Sequence, residues 1–547
     1  MKKLLLIFFL LAFYGNPLIS QGFIDHQGTE QLLKQLNREY SNLTRLTTIA
    51  KTPGDRDIRV LTIGKGDMDN HPGLAVVSGV DGRYISGPAL VTKFAESLLK
   101  ESSTDSISNL LDSITFYVIP NLSPDATEQY FRLLKYERNM NDRMTDEDRD
   151  GRIDEDPFED LNGDSLITLV RIKDPTGNWI PHPDDDRIMV RADKKKGEKG
   201  AYIVITEGVD NDLDGRFNED GAGGICFNQN MTFRFDHFKA GSGEFPVSEP
   251  ECRGFLDFLY RQWNIYCVYT FGPSDNLSKP FPYIESDATA NVICGMQEKD
   301  VLLNTLVSDR YNNLTGKKKH NELTLFNGGF LQWAYFHYGR QSFGTPGFYI
   351  PEIKINGDST GSGDPEEEFN LEINFLKWAD SIYTEPYFVN WETIEHPDFP
   401  GREAEVGGII PYRMINPPEK MLDSLAEIHN GFIIWLASLR PGIRILNMES
   451  TDLGNHLYRL EMDVYNPGIF PAMSGIGEKT RWVKKPKVTL ICSNEQEILG
   501  GKKIELLDQL DGDSGDHLSW LVRGRGQVSL EVGSPQTGFS TYTIDLR

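Results

Sequence analysis

Two acidic stretches of the chain repeat one pattern of side chains that suits a hard metal ion. Each stretch places carboxylates at its first, third and fifth positions, glycine at its sixth and an apolar residue at its eighth. The first covers residues 146–156 and the second covers residues 210–220. Alternate carboxylates can converge on one calcium ion, and glycine permits the sharp turn that this convergence needs. The pattern therefore predicts two loops that are ordered by calcium.

These loops differ from an EF-hand at the twelfth position, where Pro157 and Gly221 replace the usual glutamate. A further ligand is therefore expected from Asp156, from Asp220 or from elsewhere in the insert. The alternative is a solvated acidic loop, which is the usual state of an acid run. A closed oxygen cage performs no reaction, so the expected role is structural. With a related run that follows the first loop, the candidate calcium ligands are Asp146, Asp148, Asp150, Asp154, Asp156, Asp160, Asn162, Asp164, Asp210, Asp212, Asp214, Asn218 and Asp220.

The overall charge narrows the classes of partner. The 547 residues include 81 acidic and 56 basic side chains, which gives a formal net charge of −25. This charge opposes nucleic acid or an anionic membrane surface as a main partner. Five cysteines do not make a disulfide scaffold, and their pairing cannot be deduced from the sequence.

The N-terminus has the order of a secretory signal peptide over residues 1–20. Lys2 and Lys3 precede an apolar run from Leu4 to Tyr14, and small or polar residues follow. The run is too short to cross a bilayer, and no later stretch reaches about 18 uninterrupted apolar residues, so no membrane span is expected. The alternative is an N-terminal membrane anchor. We expect a secreted or periplasmic protein in a compartment with abundant calcium.

The spacing of apolar residues predicts the elements that must position any site. Short apolar runs over residues 59–64, 74–80 and 114–120 are typical of buried strands, and residues 86–100 have a helical period. This alternation favours an α/β domain with a mixed, largely parallel sheet flanked by helices. A helix and a strand are predicted again within residues 249–271.

The composition divides the chain into two domains after the signal peptide. Residues 21–440 form the predicted α/β domain, interrupted by an acidic, glycine-rich insert at about residues 139–224. A helix is predicted over residues 421–439. From residue 441 to residue 547 the pattern becomes alternating and rich in turns, which predicts a C-terminal all-β sandwich.

Familiar catalytic spacings are missing from the sequence. The ten histidines include no HxxxH or HxxE pair, and the cysteines form no CxxC. No nucleophile elbow, phosphate-binding loop or dinucleotide fingerprint is present. Spacing alone therefore indicates neither a zinc site nor a catalytic triad.

Several stretches together resemble the zinc carboxypeptidase family (M14 metallopeptidases), in particular its large secreted bacterial members with calcium-type inserts and a C-terminal β domain. The resemblance covers nearly the whole mature chain, keeps the order of the motifs and implies a carboxypeptidase-like (phosphorylase/hydrolase-like) fold. Two of its motifs are fairly specific: SEPE before an amphipathic helix, and PNLSPD after a buried strand. The matching stretches are residues 74–87, 118–127, 224–231, 247–252, 268–273, 331–352, 391–401 and 406–412.

The resemblance fails at the residues that carry the family's chemistry. The two zinc ligands of its HxxE motif correspond to Asp81 and Tyr84, and its third zinc ligand corresponds to Tyr269. The general-base glutamate corresponds to Pro346. The substrate-binding arginine corresponds to Gln229. An aspartate and two neutral phenols make a poor zinc site, and proline cannot act as a base.

Substitute residues could in principle rebuild a site. Glu352 lies six residues beyond Pro346 and could be a displaced base, although an ion pair is the expected role. Asp81, His237 and Glu352 are the alternative metal set. Other side chains have plainer expected roles: Arg132 and Arg138 are expected to be solvated, although either could bind a carboxylate, and His337 is expected to pack in the core.

The changed positions lead to three hypotheses. The first is a secreted, calcium-stabilised, non-catalytic pseudopeptidase that binds a peptide in a cleft formed by Asn228, Gln229, Asn230 and His237, with Tyr84 and Tyr269 as stacking faces. The second is an active zinc metallocarboxypeptidase that cleaves C-terminal peptide bonds with an atypical ligand set. The third is a binding scaffold that acts through the C-terminal β domain. Zinc content separates the second hypothesis from the others.

Overall fold

The computed structural model describes residues 22–146, 151–218, 220–316, 325–353, 370–508 and 510–546. The expected signal peptide lies outside these residues, as do the candidate calcium ligands Asp148 and Asp150. No helix in these ranges is long and apolar enough to cross a bilayer.

The helices are distributed along the whole chain. In chain order they are α1 (His26–Glu39), α2 (Ser86–Lys100), α3 (Asp105–Leu111), α4 (Pro124–Thr127), α5 (Pro250–Arg261), α6 (Glu285–Ala288), α7 (Glu298–Thr315), α8 (Phe330–Phe336), α9 (Leu371–Ile382), α10 (Leu422–Ser438) and α11 (Gly475–Thr480).

The strands form four sheets. In chain order they are β1 (Thr44–Lys51), β2 (Asp57–Ile63), β3 (Gly73–Val77), β4 (Thr115–Ile119), β5 (Leu169–Lys173), β6 (Trp179–Pro181), β7 (Met189–Arg191), β8 (Tyr202–Thr206), β9 (Ile265–Phe271), β10 (Gln341–Thr345), β11 (Phe388–Ile394), β12 (Ala404–Ile409), β13 (Arg444–Asp452), β14 (Leu457–Asn466), β15 (Lys487–Ile491), β16 (Glu497–Gly500), β17 (Ile504–Leu506), β18 (Ser514–Arg523), β19 (Gly526–Ser534) and β20 (Gly538–Leu546).

The first sheet positions the candidate site. Its strand order is β1-β2-β4-β3-β9-β10. The strands β4, β3, β9 and β10 pair in parallel, whereas β2 pairs antiparallel with both of its neighbours, β1 and β4. The strands β3, β4 and β9 are buried along their whole length, as continuous apolar runs predict. One face of the sheet packs against α2 and α10, and the other packs against α5 and α8. The predicted mixed, largely parallel α/β sheet is confirmed.

The acidic insert contributes to a second sheet, which the sequence pattern did not reveal. Its strand order is β11-β12-β5-β8-β6-β7. Here β5 of the insert pairs antiparallel with β12, more than two hundred residues further along the chain. The two acidic repeats also meet each other, because Asp156 and Asp220 form an antiparallel bridge. Each is the eleventh residue of its repeat, so the two loops pair symmetrically.

The C-terminal strands form two four-stranded antiparallel sheets, β13-β14-β18-β16 and β17-β15-β19-β20. The alternating residues of β14 and β19 face a shared apolar core that includes Leu460, Trp520 and Leu530. This arrangement confirms the predicted all-β sandwich and follows from the period of two in the sequence.

The second domain is fixed to the first by residues 470–484, which lie between β14 and β15. Asp300 of α7 is fully buried and accepts a hydrogen bond from the backbone N–H of Gly475 at 2.9 Å. Trp482 stacks on Trp263 with ring centroids 4.3 Å apart. Because a buried carboxylate is stable only with such donors, this contact joins the two domains tightly.

Candidate functional site

The loop after β3 carries the aspartate that stands at the first zinc-ligand position. Asp81 is only 5% exposed, and the guanidinium of Arg83 holds it. The Arg83 Nε donates to Asp81 Oδ1 at 3.0 Å, and Nη2 donates to Oδ2 at 2.7 Å. Burial alone would lower the pKa of Arg83, but the bonds to Asp81 raise it above its usual value. Both oxygens of Asp81 are therefore engaged with a cation that belongs to the protein itself.

The space beside Asp81 is very small. Asp81 lines a crevice with a volume of about 10 Å³, together with Val80, Arg83, Asn139, Cys226, Asn228, Gln229 and Phe326. A volume of this size holds about one water molecule. The structure therefore brings Asp81 together with Asn228 and Gln229, in a crevice that, within the described residues, has no room for a peptide.

Tyr84, at the second zinc-ligand position, is a neutral phenol in this structure. Burial raises the pKa of Tyr84 to about 12, and the nearby carboxylate of Asp81 contributes to the rise. A phenol that stays protonated at physiological pH is a weak metal ligand.

Tyr269, at the third zinc-ligand position, is fully buried in β9. Its hydroxyl lies 3.2 Å from Nδ1 of His429, and Nε2 of His429 lies 2.9 Å from the carbonyl of Gly347. A carbonyl only accepts, so His429 Nε2 carries the proton and the Tyr269 hydroxyl donates to Nδ1. Burial lowers the pKa of His429 to about 4, so this contact is between neutral groups.

The hypothesis that Tyr84 and Tyr269 form the two stacking faces of one cleft is therefore wrong. Tyr269 is 0% exposed and its ring packs in the core cluster beneath α10, so it presents no face on which a ligand could stack.

The strand end at the family's general-base position carries no carboxylate. β10 ends at Thr345, whose hydroxyl lies 2.6 Å from that of Tyr311 and 3.1 Å from that of Tyr349. Pro346 follows, and Glu352 lies in an exposed stretch beyond it. Within the described ranges, no carboxylate of this segment reaches the crevice.

The alternative metal set of Asp81, His237 and Glu352 is also wrong. His237 is exposed and lies edge-on to Phe235, with ring centroids 5.0 Å apart. Among the described residues, only one set of three histidine, cysteine or acidic side chains has ligand atoms within 4.8 Å of one another, and that set lies in the acidic insert.

The three residues of the Asn-Gln-Asn run have different surroundings. Asn228 accepts from the Phe330 N–H at 2.9 Å, while its buried Nδ2 has no protein partner. The Oε1 of Gln229 is also buried without a partner in the crevice. Asn230, by contrast, has protein partners for both ends of its amide, because its Nδ2 donates to the Ser242 carbonyl and its Oδ1 accepts from the Glu249 N–H. Asn228 and Gln229 are therefore the members of the run that could contact a small ligand.

A buried polar network next to the crevice was not anticipated from the sequence. The Nδ2 of Asn141 donates to Glu249 and to Glu251, each at 2.7 Å. Burial raises the pKa of Glu251 to about 7. The glutamates belong to the SEPE motif, but only the fold shows that Asn141 lies between them.

Two of three expectations about isolated side chains also change. Arg138 is buried, not solvated, and its Nη1 donates to Asp142 at 2.6 Å. His337 lies at the surface beside Thr232 instead of in the core. Arg132 is exposed as expected. A buried arginine pairs with its neighbours because an unpaired buried charge is costly.

The acidic insert contains the one described cluster that could hold a cation. Asp210, Asp212 and Asp214 bring carboxylate oxygens within 4.8 Å of one another. In this loop the carboxylates also accept backbone N–H groups, as in Gly215 to Asp210 at 3.0 Å. Oxygen donors of this kind fit calcium.

Asp156 makes a contact between the two repeats that the sequence did not reveal. It is 1% exposed, and its two oxygens accept the backbone N–H groups of Asn211 at 2.9 Å and Asn218 at 2.5 Å. Both acceptors belong to the first repeat and both donors belong to the second. Asp156 therefore braces the two loops against each other, and its predicted role as a further calcium ligand stays a prediction.

Residues 29–360, more than half of the chain, match the family model described as zinc carboxypeptidase. The chain belongs to the zinc carboxypeptidase family. Residues 442–545 match a second model, described as a domain of unknown function (DUF8731). The resemblance seen in the motifs is thereby confirmed.

Individual members of the zinc carboxypeptidase family match only part of the chain. Carboxypeptidase M of Mus musculus is 27% identical over 106 residues, which is 19% of this chain and 24% of the relative. Carboxypeptidase B of Astacus astacus is 26% identical over 102 residues, 19% of this chain and 33% of the relative. The chain thus spans a third or less of the length of these relatives.

Among solved structures, thrombin activatable fibrinolysis inhibitor is similar with a TM-score of 0.43 and 13% identity, covering 76% of this chain and 74% of that one. Carboxypeptidase A of Helicoverpa armigera is similar with a TM-score of 0.38 and 13% identity, covering 62% and 68%.

The zinc of the family does not fit the residues of this chain. Asp81 is paired with Arg83, Tyr84 is a protonated phenol, and Tyr269 is turned into the core. Catalytic zinc needs three converging ligands and an open fourth position. Among the described residues, these three positions supply neither the converging ligands nor the open position.

Proposed function

We propose that the protein is an exported, non-catalytic member of the zinc carboxypeptidase family, stabilised by calcium, that acts by binding a peptide or peptide-like ligand. The observation that carries the proposal is the pairing of Asp81 with Arg83 in a crevice of about 10 Å³. An internal guanidinium occupies both oxygens at the first zinc-ligand position, and so the carboxylate has no need of a metal ion.

The absence of a base supports the non-catalytic proposal independently. Zinc-dependent hydrolysis needs a group that takes a proton from the attacking water. Thr345 and Pro346 stand at the strand end where the family's glutamate is expected, and Thr345 is fully buried among tyrosine hydroxyls. Neither side chain can act as that base.

Calcium stabilisation is supported by the arrangement of the acidic insert. Three aspartates of the second repeat converge, and the eleventh residues of the two repeats pair directly. Carboxylates this close repel one another unless a cation is present. Calcium binding would therefore stabilise the loops and, through β5 and β12, the second sheet.

The proposal is tested by measuring the metal content of the purified mature protein by mass spectrometry after dialysis without chelator. We expect calcium at one or more equivalents and no stoichiometric zinc. Hydrolysis assays with C-terminal peptide substrates and added zinc should show no turnover above buffer. Stoichiometric zinc that disappears in Asp81→Ala would instead establish a rebuilt metallopeptidase site, and the proposal would fail.

A further inference from the structure

An open groove of about 710 Å³ lies between the first domain and the second, in a different place from the crevice. β1 contributes Arg45, Thr47 and Thr48 among others, and β2 contributes Thr62. The remaining walls include Asp257 and Arg261 of α5 and Pro535 of the second domain. α5 approaches β1 most tightly at Gly254, where an added Cβ would lie 2.5 Å from the carbonyl oxygen of Ile49. The groove therefore begins where helix and strand touch.

The groove exposes the free edge of a β-sheet. β1 is the outermost strand of the first sheet. The Gly64 N–H donates to the carbonyl of Leu43 at 3.0 Å at the start of the antiparallel β1–β2 ladder, and this bond sets the alternation of the pairs that follow. Residues 44, 46 and 48 therefore direct their N–H and C=O groups away from β2, up to a β-bulge between Thr48 and Ala50. Of these, Thr48 lines the groove.

The helical wall of the groove carries two opposite charges. Asp257 and Arg261 lie one turn apart on α5, and both are exposed. Within the described part of the chain, neither forms an ion pair within 4.0 Å. The charges on the facing wall are instead satisfied, because Arg45 and Asp69 pair at 2.5 Å. Asp257 and Arg261 are therefore available to a ligand.

We infer that this groove binds an extended peptide, which adds a strand to β1 and directs a basic and an acidic side chain towards Asp257 and Arg261. Side chains two residues apart on a strand are about 7 Å apart, close to the roughly 6 Å between neighbours one helical turn apart. Backbone bonds to the sheet edge supply affinity, and the charged wall supplies specificity. The inference rests on the proposed function only in taking the protein for a peptide binder.

The aromatic residue of the groove favours a peptide over an oligosaccharide. Trp263 stacks on Trp482 at 4.3 Å, and Lys484 Nζ lies 4.7 Å from the Trp263 ring centroid. Trp263 is thus engaged with two residues of the chain itself, which leaves less of the indole for a sugar ring to stack on.

The test is fluorescence anisotropy with the full mature protein in calcium. The probes are two labelled peptides of alternating threonine and valine that carry Lys and Glu two residues apart, one in each order. We expect one order to bind, and methylation of its alternate backbone nitrogens to weaken binding at least tenfold, because an added strand needs those N–H groups. This comparison leaves the protein unchanged, so it does not depend on a variant folding.

A charge-neutral double variant, Asp257→Asn with Arg261→Gln, should also weaken binding at least tenfold. The matched control is Lys502→Gln with Glu505→Gln, an ion pair of the second domain outside the groove in which Lys502 is exposed and Glu505 half-buried. This control should leave binding unchanged. The inference is overturned if neither peptide binds up to about 1 mM, or if binding survives backbone methylation or the groove variant. Loss of binding in Asn228→Ala of the crevice, or binding of chitotetraose in the groove instead of peptide, overturns it too.

The two proposals can fail separately. Zinc-dependent hydrolysis of a peptide would refute the non-catalytic function, yet binding that depends on Asp257 and Arg261 would still place a peptide in the groove. Conversely, the protein could contain no zinc and bind the peptide equally well with and without the groove substitutions. That result would support the proposed function and refute the groove as the peptide site.

Discussion

The former metal site and the acidic insert both present carboxylates, but their surroundings give them opposite chemistry. In the crevice, Asp81 is buried and the guanidinium of Arg83 neutralises it. In the insert, Asp210, Asp212 and Asp214 converge, and backbone N–H groups are their main protein donors. We propose that neighbouring charges decide which of the two regions binds a metal ion, because the ion must compete with whatever cation the protein already supplies.

The largest expected effect comes from removing calcium. If free calcium stands about a thousandfold above its dissociation constant, EGTA should lower the free energy of unfolding by about 4 kcal/mol. Differential scanning calorimetry should show a corresponding fall in Tm. Phenanthroline, which removes zinc and not calcium, is the control and should leave Tm unchanged. A fall with phenanthroline would contradict the contrast between the two regions.

The second-largest effect is a pH dependence of stability that arises from Glu251, in the buried network with Asn141 and Glu249. Burial raises the pKa of Glu251 to about 7, so the folded protein holds a proton that the unfolded chain releases at lower pH. Stability from this group is fully present below about pH 4.5 and is lost as the pH rises towards 7, by on the order of 3 kcal/mol. Urea unfolding of the native protein and of Glu251→Gln across this range should differ by that pH dependence. Parallel curves would refute it.

Two substitutions within the insert should distinguish a carboxylate that joins the two repeats from a carboxylate that binds calcium. Asp156→Asn removes a carboxylate that accepts two backbone N–H groups across the repeats, so it should cost about 2 kcal/mol with or without calcium. Asp212→Asn should destabilise the protein in calcium and have little effect in EGTA. Thermal unfolding of both variants in both buffers measures the difference. Equal calcium dependence of the two losses would assign Asp156 to the metal.

The smallest effect is expected at the former zinc position. Asp81→Asn removes the charge that faces Arg83, but solvent can take over part of the guanidinium, so the cost should be about 1 kcal/mol. Calcium content and the absence of zinc should not change. Zinc uptake by Arg83→Gln, in which Asp81 keeps its charge, would show by mass spectrometry that only Arg83 had kept the metal out.

Much of the scaffold could be predicted from the sequence because its signals are local. The helical period of residues 86–100 coincides with α2, and the apolar run ending near Pro120 contains β4. The second sheet could not be predicted, since β5 pairs with β12 across the fold. Tyr269 shows the same limit at the site, because no local pattern states which face of β9 it occupies.

The sequence by itself determined which chemical groups are present: an aspartate, two tyrosines and a proline at the family's catalytic positions, and carboxylates at calcium-loop spacing in the insert. Only the tertiary structure decided what these groups do. It turned Tyr269 towards His429 and set Asp156 between the two repeats. Residue type fixes the donors and charges, but their partners, burial and pKa values arise from segments that are distant in the chain and adjacent in the fold.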